Sequence, residues 1–289
     1  MSNYFQHSLN SLIFSGNVSL SRSNRKTGAT MTLPVKNISA RLGCALCAAL
    51  FALVFSSCAS VPTTENINQS EAHSKMGFSY FNNGQLSEAF AEFQKAVMLN
   101  PDNKEALFQL GYLSTLFKKY DEAISYYKRA ISAAPDYSEA MNNIGVIYLA
   151  MENWDEAVRY FSDALKNPLY RSPEKAYSNM GYAYYRKGEY SMAEKLQKDA
   201  LIRNPLSPVA IYRLGLVYVK RGDDQSAIEE FKKAIGIMQD DMDSHWELAH
   251  AYLRTGERNR ALEHFRIIAE KDRDIGRSRE ALEYLELIK

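Results

Sequence analysis

Two short segments carry residue types at spacings that metal and redox centres use. His245-Trp-Glu-Leu-Ala-His250 sets two imidazoles five residues apart with Glu247 between them. A zinc-peptidase helix needs its histidines at i and i+4, with glutamate directly after the first, so that both rings share one face. A five-residue step turns the second ring by ~140°, so this pair is not expected to hold a metal. Cys44-Ala-Leu-Cys47 has the spacing of a redox or metal pair. It lies in the almost wholly apolar run 42–55, where leader-segment cysteines are the simpler reading. The other histidines are His7, His73 and His264. No Gly-x-Ser-x-Gly elbow and no Gly-x-x-x-x-Gly-Lys-Ser/Thr phosphate loop occurs. Asp240-Asp241 reads as a solvated turn. A non-enzyme is expected, with no metal and no cofactor.

Bulk composition points the same way. The 289 residues hold 35 basic and 34 acidic side chains, without the basic excess that phosphate-led nucleic-acid binding requires. No nucleic-acid partner is expected. Cys44, Cys47 and Cys58 all lie near the N-terminus, so the repeats that follow contain no thiol chemistry. Aromatics are plentiful, with 19 Tyr and 13 Phe. They supply packing area and, where exposed, an adhesive groove.

The N-terminal segment reads as an address. Lys36 and Arg41 precede the apolar run LGCALCAALFALVF at 42–55. At 14 residues the run is too short for a bilayer crossing that needs ~20. A basic start, a short apolar middle and a small-residue ending describe a secretory signal. The ending Phe55-Ser56-Ser57-Cys58 resembles a bacterial lipobox, and that resemblance implies a diacylated Cys58 as the mature first residue. Phe55 stands where Leu or Val is usual, and a plain cleaved signal with an incidental cysteine is the alternative. Counting back, residues 31–57 form the leader. Residues 1–30, rich in Ser and Asn, are then a non-native extension or a disordered one. By resemblance to the sorting of Gram-negative lipoproteins, Ala59 after the cysteine implies the periplasmic face of the outer membrane, reached through the lipid anchor. Residues 58–69 read as a polar tether.

What must position any functional surface is a repeat. Glycine recurs at Gly77, Gly111, Gly145, Gly181 and Gly215, with Ala249 in the sixth slot, at intervals of 34, 34, 36, 34 and 34 residues. A fixed period in this range means stacked helical pairs. With the glycine as position 8, position 20 is Ala89, Ala123, Ala157, Ala193, Ala227 and Ala261. Position 24 is Phe93, Tyr127, Phe161, Gln197, Phe231 and Phe265, and position 11 is Tyr80, Ser114, Tyr148, Tyr184, Tyr218 and Tyr252. This pattern resembles the tetratricopeptide repeat. It implies an all-α, right-handed superhelical solenoid of six tetratricopeptide helix pairs over 70–275 (70–103, 104–137, 138–173, 174–207, 208–241 and 242–275), closed by a C-terminal capping helix at 276–289. Glycine costs ~1 kcal/mol in a helix, and its tolerance at position 8 implies close approach of the second helix, with the position-20 alanine expected to face the gap. Pro101, Pro135 and Pro205 end second helices. Gln197 and Ser114 break the pattern, by drift or because a surface is reserved there.

In this fold first-helix positions 2, 5, 9 and 12 line the concave side. The candidate partner-binding groove is Phe78, Phe81, Phe108, Tyr112, Asn142, Tyr182, Tyr185, Arg186, Tyr212, Arg213 and Trp246, with Val146, Leu216, Asn143, Asn179 and Lys220 beside them. An aromatic groove edged by amides and positive charge suits a peptide with apolar anchors; about half of these rings are expected to pack between helices instead. The carboxylate-clamp repeats need lysine and asparagine at positions 5 and 9 of one repeat, where repeat one has Ser74 and Phe78.

The longer third interval falls in Asn167-Pro168-Leu169-Tyr170-Arg171-Ser172-Pro173, shortly after Asn142-Asn143-Ile144-Gly145-Val146. With the lipobox and six repeats, this segment resembles the type IV pilus biogenesis lipoproteins, the pilotins of the PilF/PilW kind. That resemblance implies an outer-membrane protein-binding adaptor whose partner is a secretin subunit and whose role is to promote secretin assembly. A general periplasmic scaffold for cell-envelope enzymes is the other reading.

Overall fold

Apolar residues in helical phase, punctuated by turns every half repeat, give thirteen helices and no strand among the described residues. The computed structural model describes residues 61–288. The leader, Cys44, Cys47, Cys58 and the N-terminal extension lie outside the described residues. The helices pair as α1 (Thr64–Asn82) with α2 (Leu86–Leu99), α3 (Lys104–Leu116) with α4 (Tyr120–Ala133), and α5 (Ser138–Ala150) with α6 (Trp154–Leu165). The series continues with α7 (Pro173–Arg186) and α8 (Tyr190–Arg203), α9 (Pro208–Arg221) and α10 (Asp224–Ile237), α11 (Met242–Arg254) and α12 (Arg258–Lys271). A last helix, α13 (Ile275–Leu287), packs on α12. Each helix packs against its successor, and from repeat two to repeat six the first helices also touch one another. That makes the first helices the inner layer of an all-α superhelical solenoid. No described helix is long and apolar enough to cross a membrane.

The glycine ruler works by a contact other than the one the alanines suggest. A Cβ on Gly77 would stand 2.7 Å from the Phe93 ring, one on Gly145 2.6 Å from Phe161, and one on Gly215 2.5 Å from Phe231. The position-24 ring, not the position-20 alanine, fills the space the glycine vacates. The alanines, Ala89 through Ala261, are wholly buried nearby. In repeat four the ring is absent: Gln197 lies over Gly181 and its Nε2 donates to the Ser178 carbonyl at 2.9 Å. Its buried Oε1 has no partner, and neither has the buried Ser114 hydroxyl.

A second column escaped the sequence reading. The turn inside each pair passes through a left-handed residue: Gly84, Lys118, Glu152, Gly188, Gly222 and Gly256, with φ between 58° and 81°. Glycine adopts this conformation without a Cβ clash, which is why four of the six are glycine.

Within the expected tether at 58–69, the described residues 61–69 depart from that reading, because α1 already starts at Thr64. The Thr63 hydroxyl accepts the Asn66 amide at 3.2 Å and Glu65 sits in the first turn, both favourable at a helix N-terminus. The residues of that turn are mostly exposed, so their polarity disguised the helix. Asn103 then fastens α1: it caps α3 through the Ala106 amide at 3.0 Å and donates to Ser70 and Ser74 at 2.8 and 3.0 Å.

The interrupted turn between α6 and α7 is also built from named contacts. Asn167 accepts the Leu169 amide at 2.9 Å and donates to the Asp136 carbonyl at 2.8 Å. Tyr170 points inward and is buried with Phe161, Ala164 and Ala176. At the other end Arg277 of α13 pairs with Asp272 and with Asp243 of α11, fixing the last helix over repeat six.

Candidate partner-binding groove

The candidate residues lie at positions 5, 6, 9, 12 and 13 of the first helices and fall into three neighbourhoods. In repeats one and two the rings mostly serve packing. Phe78 meets Phe93 edge-on at 5.2 Å, and Phe108 meets Tyr127 at 5.5 Å while stacking on Tyr137 at 5.3 Å. Phe81 and Tyr112 meet each other at 5.8 Å, and Tyr112 is exposed.

In the middle, α5, α7 and α9 bring Asn142, Tyr182, Tyr185, Arg186, Tyr212 and Arg213 together. Arg213 donates from Nη1 to Asn179 Oδ1 at 2.9 Å and to Ser178 Oγ at 3.0 Å, with its guanidinium 4.9 Å from the Tyr182 ring centre. Asn179 in turn donates to the buried Asn142 Oδ1 at 3.4 Å. Tyr182 stacks with Tyr185 at 6.0 Å. Arg186 donates to the Tyr182 hydroxyl at 3.3 Å and to Glu152 at 3.2 Å, and covers Trp154 at 4.5 Å.

This arrangement has a definite electrostatic character. Burial pushes the Arg213 guanidinium down to about 10, so its charge is poorly solvated. Among the described residues no carboxylate lies within ion-pair distance of it. A partly buried cation without a counter-ion favours an acidic or carbonyl-rich ligand. Burial also raises the Tyr212 hydroxyl far above its ordinary value, with Glu247 adding to the effect, so the ring enters the groove as a neutral donor.

In repeat six the expected groove residue Trp246 is engaged by the cap. Tyr284 of α13 lies 6.1 Å from Trp246, 5.1 Å from His250 and 4.7 Å from Phe265. The cap therefore closes over this end of the aromatic row. Glu247 is the residue the sequence reading placed only inside the His245–His250 segment. It occupies position 6, the same slot as Asn143, Asn179 and Arg213, and burial raises its carboxyl above the usual range. Writing out position 6 as a column would have found it. His245 and His250 do separate on the helix. His245 donates to the Gln239 carbonyl at 3.0 Å and meets His264 Nδ1 at 2.8 Å, while His250 sits among Trp246, Phe265 and Tyr284.

Comparison with known proteins agrees with this architecture. Tetratricopeptide-repeat models match residues 70–103, 105–168, 142–208 and 215–256. No curated protein matches the chain in sequence. Among solved structures, PilW, described as a widely conserved type IV pilus biogenesis factor, is 23% identical over 74% of this chain and 98% of its own, with a TM-score of 0.68. Pseudomonas aeruginosa PilF is 15% identical over 76% of this chain and 99% of its own, with a TM-score of 0.67. A chain of the APC/C hetero-tetramer Cut9–Hcn1 is 19% identical over 76% of this chain and 43% of its own, with a TM-score of 0.64. The shared property is the fold, a stack of tetratricopeptide helix pairs. The chain belongs to the tetratricopeptide-repeat family and has the fold of PilW and PilF.

Proposed function

We propose that this protein is a non-catalytic adaptor of type IV pilus biogenesis, an outer-membrane lipoprotein that grips a segment of a secretin subunit and promotes assembly of the secretin pore. The observation that carries the binding half of this reading is the Arg213 cluster. It offers a desolvated cation without a counter-ion, ordered by Asn179, Ser178 and Tyr182, in the middle of the inner layer. Such a site favours a partner segment carrying one acidic group flanked by apolar or aromatic anchors, which Tyr182, Tyr185 and Tyr212 would hold. Support for the pilus context comes from the fold shared with PilW and PilF over nearly their whole lengths. The lipobox-like Phe55-Ser56-Ser57-Cys58 supports attachment through Cys58 to the periplasmic face of the outer membrane.

The experiment is a binding titration of the purified secretin subunit against the parent protein and Arg213→Ala. Buried interface arginines cost about 2 kcal/mol or more on truncation, so affinity is expected to fall at least about thirtyfold with the circular dichroism of the fold unchanged. Binding of equal strength by both proteins would remove the groove from the account, and no binding by the parent would remove the secretin.

A further inference from the structure

The turn that joins one repeat to the next has the same build in several places but not the same chemistry. In the first such turn Asn100 accepts the Asp102 amide at 3.2 Å across Pro101. In the fourth, Asn204 accepts the Leu206 amide at 3.2 Å across Pro205. In the interrupted third turn Asn167 accepts the Leu169 amide at 2.9 Å across Pro168. The residue at the corresponding place is Asp102 and Asp136 in the first two turns and Asp240 in the fifth, but leucine in the two neighbouring turns that flank repeat four. Those leucines project into solvent, Leu169 at 81% and Leu206 at 71% exposure, with Ile202 at 75% and Val209 at 51% beside Leu206. Repeats stack with helix axes ~8–10 Å apart, so the two tips form one edge.

Charge changes with them. Residues 98–105 carry Asp102 and Glu105 against Lys104, residues 132–139 carry Asp136 and Glu139 with no base, and residues 238–243 carry three aspartates with no base. Residues 165–175 instead carry Lys166, Arg171 and Lys175 against Glu174, and residues 202–209 carry Arg203 with no acid. Lys166 is paired with Asp163 at 2.7 Å. Arg171, Lys175 and Arg203 have no carboxylate within ion-pair distance among the described residues; Arg203 lies over the Tyr177 ring at 4.0 Å instead.

The geometry points to this edge as a membrane-contacting surface that inserts Leu169 and Leu206 among the acyl chains of an anionic phospholipid layer, with Arg171, Lys175 and Arg203 on its phosphates. Protruding apolar tips flanked by cations that no carboxylate neutralises match an interfacial lipid surface. A protein partner would instead call for a broad, close-fitting patch, and two convex proline turns do not provide one. The inference stands apart from lipidation of Cys58. If both hold, the solenoid is tied to the membrane at two places, which fixes the direction its groove faces.

The test uses the full chain carrying Cys58→Ser, so that no acyl chain contributes. Single tryptophans are placed by Leu169→Trp, Leu206→Trp and, in an acidic turn, Asp102→Trp. Vesicles of phosphatidylethanolamine and phosphatidylglycerol with brominated acyl chains serve as the probe, and the parent with its native tryptophans is the blank. The expected result is quenching of the tryptophans at 169 and 206 but not at 102. Neutralising Arg171, Lys175 and Arg203 to glutamine should weaken vesicle binding roughly a hundredfold, and phosphatidylcholine vesicles should bind weakly. Equal quenching at all three positions, or none at 169 and 206, overturns the inference. So does loss of self-association in the double variant Leu169→Ser/Leu206→Ser without any vesicle effect, since the edge would then dock a second copy.

Discussion

At the scale of single residues, the solenoid is set by what stands over each position-8 glycine. Four repeats place an aromatic ring where a Cβ would otherwise come within 2.8 Å of its atoms. Repeat four substitutes Gln197, whose amide nitrogen is bonded and whose oxygen is buried without a partner. Leaving a buried acceptor unpaired costs about 1–3 kcal/mol. Gln197→Phe restores the arrangement already used over Gly77, Gly145 and Gly215, and should raise stability by about 1–3 kcal/mol. Urea unfolding of parent and variant measures this; an unchanged or lowered midpoint would mean that the amide is needed where it is. The sequence made the exception visible because the ring column is regular. It could not reveal that ring and glycine are partners, since that depends on how one helix lies across the other.

At the scale of elements, the period made the helix pairs and the cap legible, because glycine, alanine and aromatic recur in phase. The start of α1 was not, because Thr63 caps a turn whose polar side chains face water. Nor was the capture of Trp246, because Tyr284 belongs to α13 and lies outside any repeat template. The last pair also contains a device that a repeat template does not describe. His245 and His264 meet at 2.8 Å between α11 and α12, with His264 stacked 5.8 Å from Tyr252. Burial lowers both imidazoles from their ordinary 6.5, and His264 is carried down to about 4, with His245 adding to the effect. The unfolded chain therefore binds protons more readily than the folded one in this range. The stability due to this pair is complete above pH 6.5 and is lost as pH falls toward about 4. The loss should amount to about 1–3 kcal/mol. It should be absent from the double variant His245→Leu/His264→Phe, as read by thermal unfolding across that window. An identical acid dependence in parent and variant would place the titration elsewhere, for instance on Glu92 or Glu194, whose carboxyls are held low by Lys95 and Lys198.

At the scale of the whole molecule, the proposed adaptor role rests on an inner layer of first helices that carries Arg213 and its partners Asn179 and Ser178 at its middle. The candidate groove residues could be written down from the sequence because first-helix positions recur with the repeat. The division of labour among them could not. Phe78 and Phe108 lean into the core, while Tyr182 and Arg213 order one another across two helices, and that distinction rests on ring angles and hydrogen bonds formed between repeats.

The most direct measurement is photocrosslinking in piliated cells, with a benzophenone amino acid at Tyr182 or Tyr212 on the inner layer or at Lys232 on α10 of the outer layer. The account predicts adducts with the secretin subunit from positions 182 and 212, their loss when Arg213 is changed to glutamate, and none from position 232. Adducts of equal yield from the outer helix, or none from the inner positions in cells that assemble the pore normally, would contradict it.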